Sequence, residues 1–189
     1  MTVTELHQKC FHSLDTQRFH LRPLQLQDAE AMFAYTSVPE SFRFLARNPH
    51  ISADEDRAFI RDVQEGYRRH CEFIWGICPR NVNSFPIGTC RLFELSPDEG
   101  HCEVSYLIHP DFKRRGVASE AVERLVRYAF EELGFQTVFA RCAAENIASE
   151  RVMQKCGMTL EKTLPRHIEL HGAWHDFLLY SIKRSETAV

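Results

Sequence analysis

Residues 113–119 read Lys-Arg-Arg-Gly-Val-Ala-Ser and carry the sharpest chemical signal in the sequence. A strand-like run ends just before them and a helical pattern follows, so the chain turns at Gly116. The first backbone N–H groups of a helix have no partner inside it and lie at the positive end of its dipole. Glycine lets a ligand approach the backbone closely. The turn therefore predicts a cradle for an anion such as a pyrophosphate, with a solvated basic turn as the alternative.

The surroundings of this turn favour the cradle, although it contains neither G-x-x-x-x-G-K-[ST] nor G-x-G-x-x-G. Residues 103–121 resemble the acetyl-CoA motif of the GCN5-related N-acetyltransferases, whose [QR]-x-x-G-x-[GA] pattern falls on 113–118. Residues 144–158 resemble the same family's N-x-x-S-x-x-[VL]-x-x-[KR]-x-G-[FM] segment. The opening strand and the tail are similar to the branch that acetylates ribosomal-protein N-termini, so the resemblance covers roughly residues 18–183. Lys113 stands where Gln or Arg is usual, and Arg114 where this branch often has Gly.

The resemblance implies a gap between the strand that ends near residue 108 and the next parallel strand, 136–142. Family members place the pantetheine arm of the donor in this gap and its pyrophosphate on the amides after it. Asn146 would face the gap and bind pantetheine amides, and it can also be an ordinary helix N-cap. The implied donor-binding residues are Leu107, Ile108, His109, Lys113, Arg114, Arg115, Gly116, Val117, Ala118, Ser119 and Asn146.

The implied reaction is direct attack of a neutral amine on the thioester of acetyl-CoA. We expect Glu103 to act as the base, through a water, because it lies on the strand beside the expected thioester. Glu94 on the preceding strand is the rival base. Ser149 lies one helical turn after Asn146 on the same face and is the candidate acid for the leaving thiolate. An exposed strand carboxylate and a structural hydroxyl are the alternatives for Glu103 and Ser149.

The elements that must position these residues follow from the hydrophobic pattern, which gives the order β-α-α-β-β-β-α-β-α-β-β. This order predicts an α/β (α+β) fold, a mixed and mostly antiparallel sheet flanked by helices. The predicted strands cover 18–25, 72–78, 86–95, 101–108, 136–142, 158–164 and 177–182. The predicted helices cover 28–35, 52–69, 118–133 and 146–155, with a short helical turn within 38–49.

Length and composition place the chain among ordinary globular proteins. With 189 residues we expect one domain, a core of about 18–183 and loose ends at 1–12 and 185–189. The net charge of −3 gives no reason to expect a nucleic-acid partner, and no apolar run is long enough to span a membrane. Seven cysteines without C-x-x-C spacing predict free buried thiols and, with no signal peptide pattern, a cytoplasmic protein.

The acceptor of the acetyl group is the open part of the hypothesis. A protein N-terminal α-amine is our expectation, with a small amine such as an antibiotic, polyamine or aminoacyl-nucleotide as the alternative. A catalytically silent module that only binds acetyl-CoA is the hypothesis from another class. A homodimer is left open. We expect no metal, since Gly172 interrupts the regular spacing of His167, His171 and His175.

Overall fold

One mixed sheet with helices on both faces organises the chain. The computed structural model describes residues 12–69, 72–80 and 85–185. Within them the strands are β1 (Leu14–Asp15), β2 (Phe19–Pro23), β3 (Phe73–Pro79), β4 (Gly88–Ser96), β5 (His101–Ile108), β6 (Thr137–Ala143), β7 (Thr159–Leu170) and β8 (Ala173–Lys183). The α-helices are α1 (Ala29–Thr36), α2 (Pro39–Phe42), α3 (Ala53–Arg69), α4 (Val117–Glu131) and α5 (Ile147–Lys155). Short 3₁₀ turns cover Leu26–Asp28 and Pro110–Phe112.

The order of strands in the sheet is β1-β2-β3-β4-β5-β6-β8-β7. Neighbouring strands are antiparallel except β5 and β6, which are parallel. Helix α4 carries the chain from the end of β5 back to the start of β6, and such a crossover is what a parallel pair requires. The predicted mixed, mostly antiparallel sheet is confirmed.

Strands β5 and β6 separate soon after they pair. Their register runs through His101–Thr137 and Cys102–Val138 and ends at Glu103–Phe139. Strand β5 continues to Ile108 along β4, while β6 continues to Ala143 along β8. The predicted splay between the two strands is therefore present, and the last paired residue on β5 is Glu103.

The two faces of the sheet carry different side chains near this splay. Cys102, Val104 and Ile108 of β5 belong to the core that includes the apolar face of α4. Leu107 instead packs against the smaller core formed with α1 and α3. Successive side chains of a strand point to opposite faces, so Glu103 lies on the same face as Leu107 and opposite α4.

The observed elements extend the predicted ones at both ends of the sheet. Strand β1 was not predicted, because a two-residue strand leaves no period in the sequence. The last two strands form a longer hairpin than predicted, with most of the β7 side chains exposed, so its outer half shows no alternation of apolar residues. At the start of α3, the Glu55 carboxylate accepts the N–H of Ile51 (2.9 Å).

Five cysteines of the described ranges are free and buried, as predicted: Cys78, Cys90, Cys102, Cys142 and Cys156. Cys10 and Cys71 lie outside the described residues, as do most of the expected loose ends. His12, which we expected in the loose N-terminal segment, accepts a hydrogen bond from the Trp75 indole on its carbonyl (2.8 Å). Among the helices described, none is long and apolar enough to cross a membrane.

Candidate active site

The turn at residues 113–116 leads directly into α4 through two left-handed residues. Arg114 has φ 62° and Gly116, the N-cap, has φ 75°. The first hydrogen bond of the helix runs from the Glu120 N–H to the Gly116 carbonyl (3.1 Å). The N–H groups of Val117, Ala118 and Ser119 therefore have no acceptor within the helix. Gly116 has no side chain that could cap this end, so the three N–H groups can bind an external anion.

The side chains of the predicted cradle divide into an exposed and a buried group. Lys113, Arg114 and Arg115 are exposed, and the Arg115 guanidinium lies 5.5 Å from the centroid of the Phe112 ring. Val117 and Ser119 are buried, which fixes the first turn of α4 against the body of the protein. The turn thus combines exposed positive charge with backbone donors held in place by the buried side chains.

Two further cations, which sequence reasoning missed, flank Gly116. A Cβ atom placed on Gly116 would lie 3.3 Å from Arg18 Nη2 and 3.9 Å from Lys155 Nζ. Arg18 donates to the Arg115 carbonyl (3.0 Å) and pairs with Glu120 (2.6 Å), so it ties β2 to the turn. These residues border a cleft of about 490 Å³ beside α4. Lys155 was visible as the basic position of the second motif, whereas nothing in the local sequence marks Arg18.

The residues predicted to line the gap lie where β5 leaves β6. Leu107 and Ile108 have no β6 partner in the register, so their backbone faces the splay rather than a neighbouring strand on that side. His109 shapes the turn that follows. Its Nδ1 accepts the Asp111 N–H (3.1 Å) and its own N–H donates to the Ile87 carbonyl (2.9 Å).

Glu103 lies at the apex of the splay in a two-carboxylate cluster around Arg141. The Arg141 Nε lies 3.1 and 2.9 Å from the two Glu103 oxygens, and Nη2 donates to Glu103 (2.5 Å) and Glu94 (2.7 Å). Glu103 is 6% exposed, whereas the Glu94 side chain is 60% exposed. Burial raises the pKa of Glu103, and Arg141 opposes this rise by favouring the ionised carboxylate. Hydrogen bonding to Glu103 raises the pKa of Arg141 in turn.

Arg141 thus brings together Glu103 and Glu94, the two candidate bases. Arg141 was not identified from the sequence. It is 38 positions from Glu103 along the chain. Glu103 and Arg141 are neighbours only because β5 and β6 pair in parallel. The local sequence pattern does not specify the register of that pairing.

On the other face of the sheet, α5 presents Asn146 and Ser149. Asn146 Oδ1 accepts the Ser149 N–H (3.2 Å), so Asn146 is the N-cap of α5. The hydroxyl oxygen of Tyr106 on β5 lies 2.8 Å from Ser149 Oγ and 3.1 Å from the Ser149 carbonyl oxygen, so its single proton can be donated to either acceptor. Sequence reasoning missed Tyr106.

The three regularly spaced histidines lie on the β7–β8 hairpin and contact different groups. His171 Nε2 is 3.1 Å from the Phe42 carbonyl, His175 Nδ1 is 3.3 Å from Glu145, and the His167 ring packs on Phe177. The described part of the chain contains no cluster of three or more metal-ligating side chains.

Comparison with known proteins agrees with this geometry. The family described as "Acetyltransferase (GNAT) domain" matches residues 18–159. The "Uncharacterized N-acetyltransferase YoaA" of Bacillus subtilis is 32% identical over 172 residues, which is 91% of this chain and 97% of YoaA. The "Putative ribosomal N-acetyltransferase YdaF" of the same species is 29% identical over 143 residues, 76% of each chain.

A crystal structure of a GNAT-family acetyltransferase from Bacillus anthracis has the same fold. It superposes with a TM-score of 0.81 at 24% identity, covering 90% of this chain and 98% of the other. The family match covers most of the chain, and YoaA is similar over nearly its whole length. The open start of α4 and the splay between β5 and β6 are therefore parts of a GNAT domain. The chain belongs to the GNAT family and is an acetyl-CoA-dependent N-acetyltransferase.

Proposed function

We propose that the protein transfers the acetyl group of acetyl-CoA to the α-amine of a protein N-terminus, with the splay between β5 and β6 as the reaction centre. The pyrophosphate of the donor binds the amides of residues 114–119, with Arg18 and Lys155 adding positive charge. The pantetheine arm lies in the splay along Leu107 and Ile108. The free backbone donors at the start of α4 support this placement, because anions bind such helix ends.

Asn146 contributes to donor binding through its side-chain nitrogen, since its oxygen already caps α5. Replacing Asn146 with serine tests this contribution, because serine is an equally good N-cap but lacks the amide nitrogen. We expect the free energy of unfolding to stay within a few tenths of a kcal/mol. The KM for acetyl-CoA should rise about three- to tenfold, the value of one hydrogen bond. Denaturant unfolding and steady-state kinetics measure the two effects, and an unchanged KM would leave Asn146 as a cap only.

The chemistry is one nucleophilic displacement at the thioester carbonyl. The amine nitrogen forms the new bond to the acetyl carbon, and the carbon–sulfur bond breaks with its electron pair on sulfur. The proton lost by nitrogen passes through a water to Glu103, which Arg141 holds ionised and fixed at the apex. Ser149 donates a hydrogen bond to the thiolate as it departs. A raised pKa makes a carboxylate a better base, provided that it remains ionised at the working pH.

An α-amine suits this site because it demands little from the base. At pH 7 about one-sixth of an α-amine of pKa about 7.7 is neutral, against about one part in 2,500 of a lysine of pKa about 10.4. Glu103 shares its charge with Arg141 and cannot supply the stronger deprotonation that lysine requires. The likeness to YdaF, whose name describes a ribosomal enzyme, supports the same acceptor.

The charges around the apex also favour an acceptor with a single positive charge. Glu94 and Glu103 carry two negative charges, and Arg141 neutralises one of them. Arg91, which donates to Ser105 on the same face of β5 (2.7 Å), is itself paired with Glu72 (3.4 Å). A polyamine needs several unpaired carboxylates, and this cluster offers about one.

A small-molecule amine is the second candidate, because relatives with such acceptors are also similar to this chain. The "Spermidine N(1)-acetyltransferase" of Vibrio cholerae is 24% identical over 157 residues. A direct comparison of acceptors separates the two candidates. It uses a short peptide beginning with Ser or Ala, the same peptide with a blocked N-terminus and one internal lysine, and spermidine.

We expect the free peptide to give a kcat/KM about 100-fold above the blocked peptide, within the roughly 400-fold difference in neutral amine. Mass spectrometry of the product locates the acetyl group. A higher kcat/KM for spermidine or for the blocked peptide would contradict the α-amine assignment. Binding of acetyl-CoA without accelerated release of CoA by any of these amines would favour a silent binding module.

A further inference from the structure

Tyr106 and Ser149 join the two sides of the splay. Tyr106 lies on β5 beyond the last residue paired with β6, and Ser149 lies on α5, which follows β6. The phenol oxygen is 2.8 Å from Ser149 Oγ, and its hydroxyl also reaches the Ser149 carbonyl at 3.1 Å. Both side chains are partly buried, so a donor lying in the splay would meet this pair rather than bulk water.

We propose that Tyr106 is a positioning residue, which donates its hydroxyl proton to Ser149 Oγ and thereby directs the Ser149 proton to the departing sulfur. This inference rests on the proposed role of Ser149 in the reaction. It assigns to Tyr106 an effect on the chemical step that acts entirely through Ser149.

The proton count of the pair explains why a positioning residue is needed. Each hydroxyl carries one proton and can also accept. The phenol proton has two acceptors within reach, Ser149 Oγ at 2.8 Å and the Ser149 carbonyl oxygen at 3.1 Å, and Oγ is the nearer. If Ser149 donates to Tyr106, the serine proton points away from the sulfur and the thiolate has no donor. If Tyr106 donates to Ser149 Oγ, the serine proton is free to form a hydrogen bond with the thiolate. The growing negative charge on sulfur favours this arrangement. No proton leaves Tyr106; the C–S electron pair goes to sulfur, and only hydrogen bonds are exchanged.

The surroundings keep the pair neutral throughout this exchange. Burial raises the pKa of Tyr106 above the ordinary value of a phenol. It also raises the pKa of the neighbouring Cys142 thiol to about 11. A phenol that stays protonated remains a donor over the whole pH range in which the enzyme is assayed.

A purely structural role predicts a different result, and the chain offers a matched control. Tyr180 of β8 makes an equivalent bond to the same helix, donating to Glu150 at 2.8 Å. The Tyr180 hydroxyl also accepts from Gln154 (3.2 Å), so each of the two tyrosine hydroxyls makes two contacts with α5. Phenylalanine at either position removes these contacts and keeps the ring. If these tyrosines only hold α5 in place, both replacements should have the same effect on catalysis.

The test is a double-mutant cycle with Tyr106→Phe and Ser149→Ala, measured with a good amine acceptor and accompanied by Tyr180→Phe. We expect Tyr106→Phe to lower kcat about fivefold, as the loss of one hydrogen bond of about 1 kcal/mol implies. The KM for acetyl-CoA should stay unchanged. In the Ser149→Ala background the same replacement should have no further effect, and Tyr180→Phe should leave kcat unchanged. Calorimetric binding of CoA to each variant confirms that the fold and the donor site are intact.

Three outcomes would overturn the inference. Wild-type kcat in Tyr106→Phe shows that the reaction does not use the phenol hydroxyl. If Ser149→Ala is impaired at the same time, the proposed function stands without this inference. Equal losses in the two backgrounds show that Tyr106 does not act through Ser149. Wild-type kcat in Ser149→Ala removes Ser149 from the reaction, and this inference falls with that part of the proposed function.

Discussion

Replacing Gly116 with glutamate is expected to abolish the binding of acetyl-CoA. At φ 75° any side chain strains the backbone by about 1–2 kcal/mol, and its Cβ would lie 3.3 Å from Arg18 Nη2. The carboxylate would then stand at the mouth of the cradle, repel the pyrophosphate and attract Arg18 and Lys155 to itself. We expect the dissociation constant measured by calorimetry to rise by more than about 100-fold, since like-charge repulsion costs several kcal/mol and each lost hydrogen bond adds about 1 kcal/mol.

Gly172 supplies the matched control for this variant. It has a similar φ of 85° at the tip of the β7–β8 hairpin, and a Cβ there would meet no atom within 4 Å. Gly172→Glu introduces the same backbone strain and the same charge but leaves the cradle intact, so it should bind acetyl-CoA normally. Normal affinity in Gly116→Glu itself would show that the pyrophosphate binds elsewhere.

The second large effect is expected from Glu103→Gln. The amide can still accept a hydrogen bond from Arg141, which also keeps Glu94 as a partner, but it cannot take a proton from the amine. We expect kcat to fall about 100-fold, the lower end of the range for general bases, while the KM for acetyl-CoA stays near the wild-type value. Glu132→Gln is the control, because Glu132 is also paired with an arginine (Arg124, 3.2 Å) and lies at the end of α4, on the face of the sheet opposite Glu103.

The pH profile distinguishes a base from a merely structural carboxylate. A base must be ionised, and the pKa of Glu103 is raised above its ordinary 4.5. Below that raised pKa, log kcat/KM for an α-amine should rise with pH with a slope of about 2, since both Glu103 and the amine must lose a proton. Above it the slope should fall to about 1, until the amine itself is neutral near pH 7.7. Glu103→Gln should show a slope of about 1 throughout. A larger loss in Glu94→Gln would transfer the role to Glu94.

What the sequence revealed of this site is what lies close together along the chain. The anion cradle is a contiguous segment, so its glycine, its helix start and its basic residues could be recognised from residues 113–119. Asn146 and Ser149 were recognised for the same reason, since one helical turn connects them. Local rules for helix starts apply to such segments without knowledge of the rest of the fold.

The residues that escaped prediction are those whose partners lie far away along the chain. Arg18 meets Arg115 across 97 positions, Tyr106 meets Ser149 across 43 and Arg141 meets Glu103 across 38. Each contact depends on which strands are neighbours and in which register. Hydrophobic alternation predicts that a strand exists, but it specifies neither its neighbour nor its partner residues. The central strands were predicted more closely than β1 and the outer half of the hairpin, because burial enforces a pattern only where a face is covered.

The limited contact between β5 and β6 bears on how fast the enzyme can load its donor. Strand β6 is held on its far side by β8 from Thr137–Lys183 to Ala143–Phe177, so the backbones of β5 and β6 are already separated before the donor binds. Entry of acetyl-CoA beyond Glu103 and Phe139 breaks no backbone hydrogen bond between β5 and β6. The association rate constant of acetyl-CoA should therefore be that of two preformed partners, without a preceding slow conformational change of the protein.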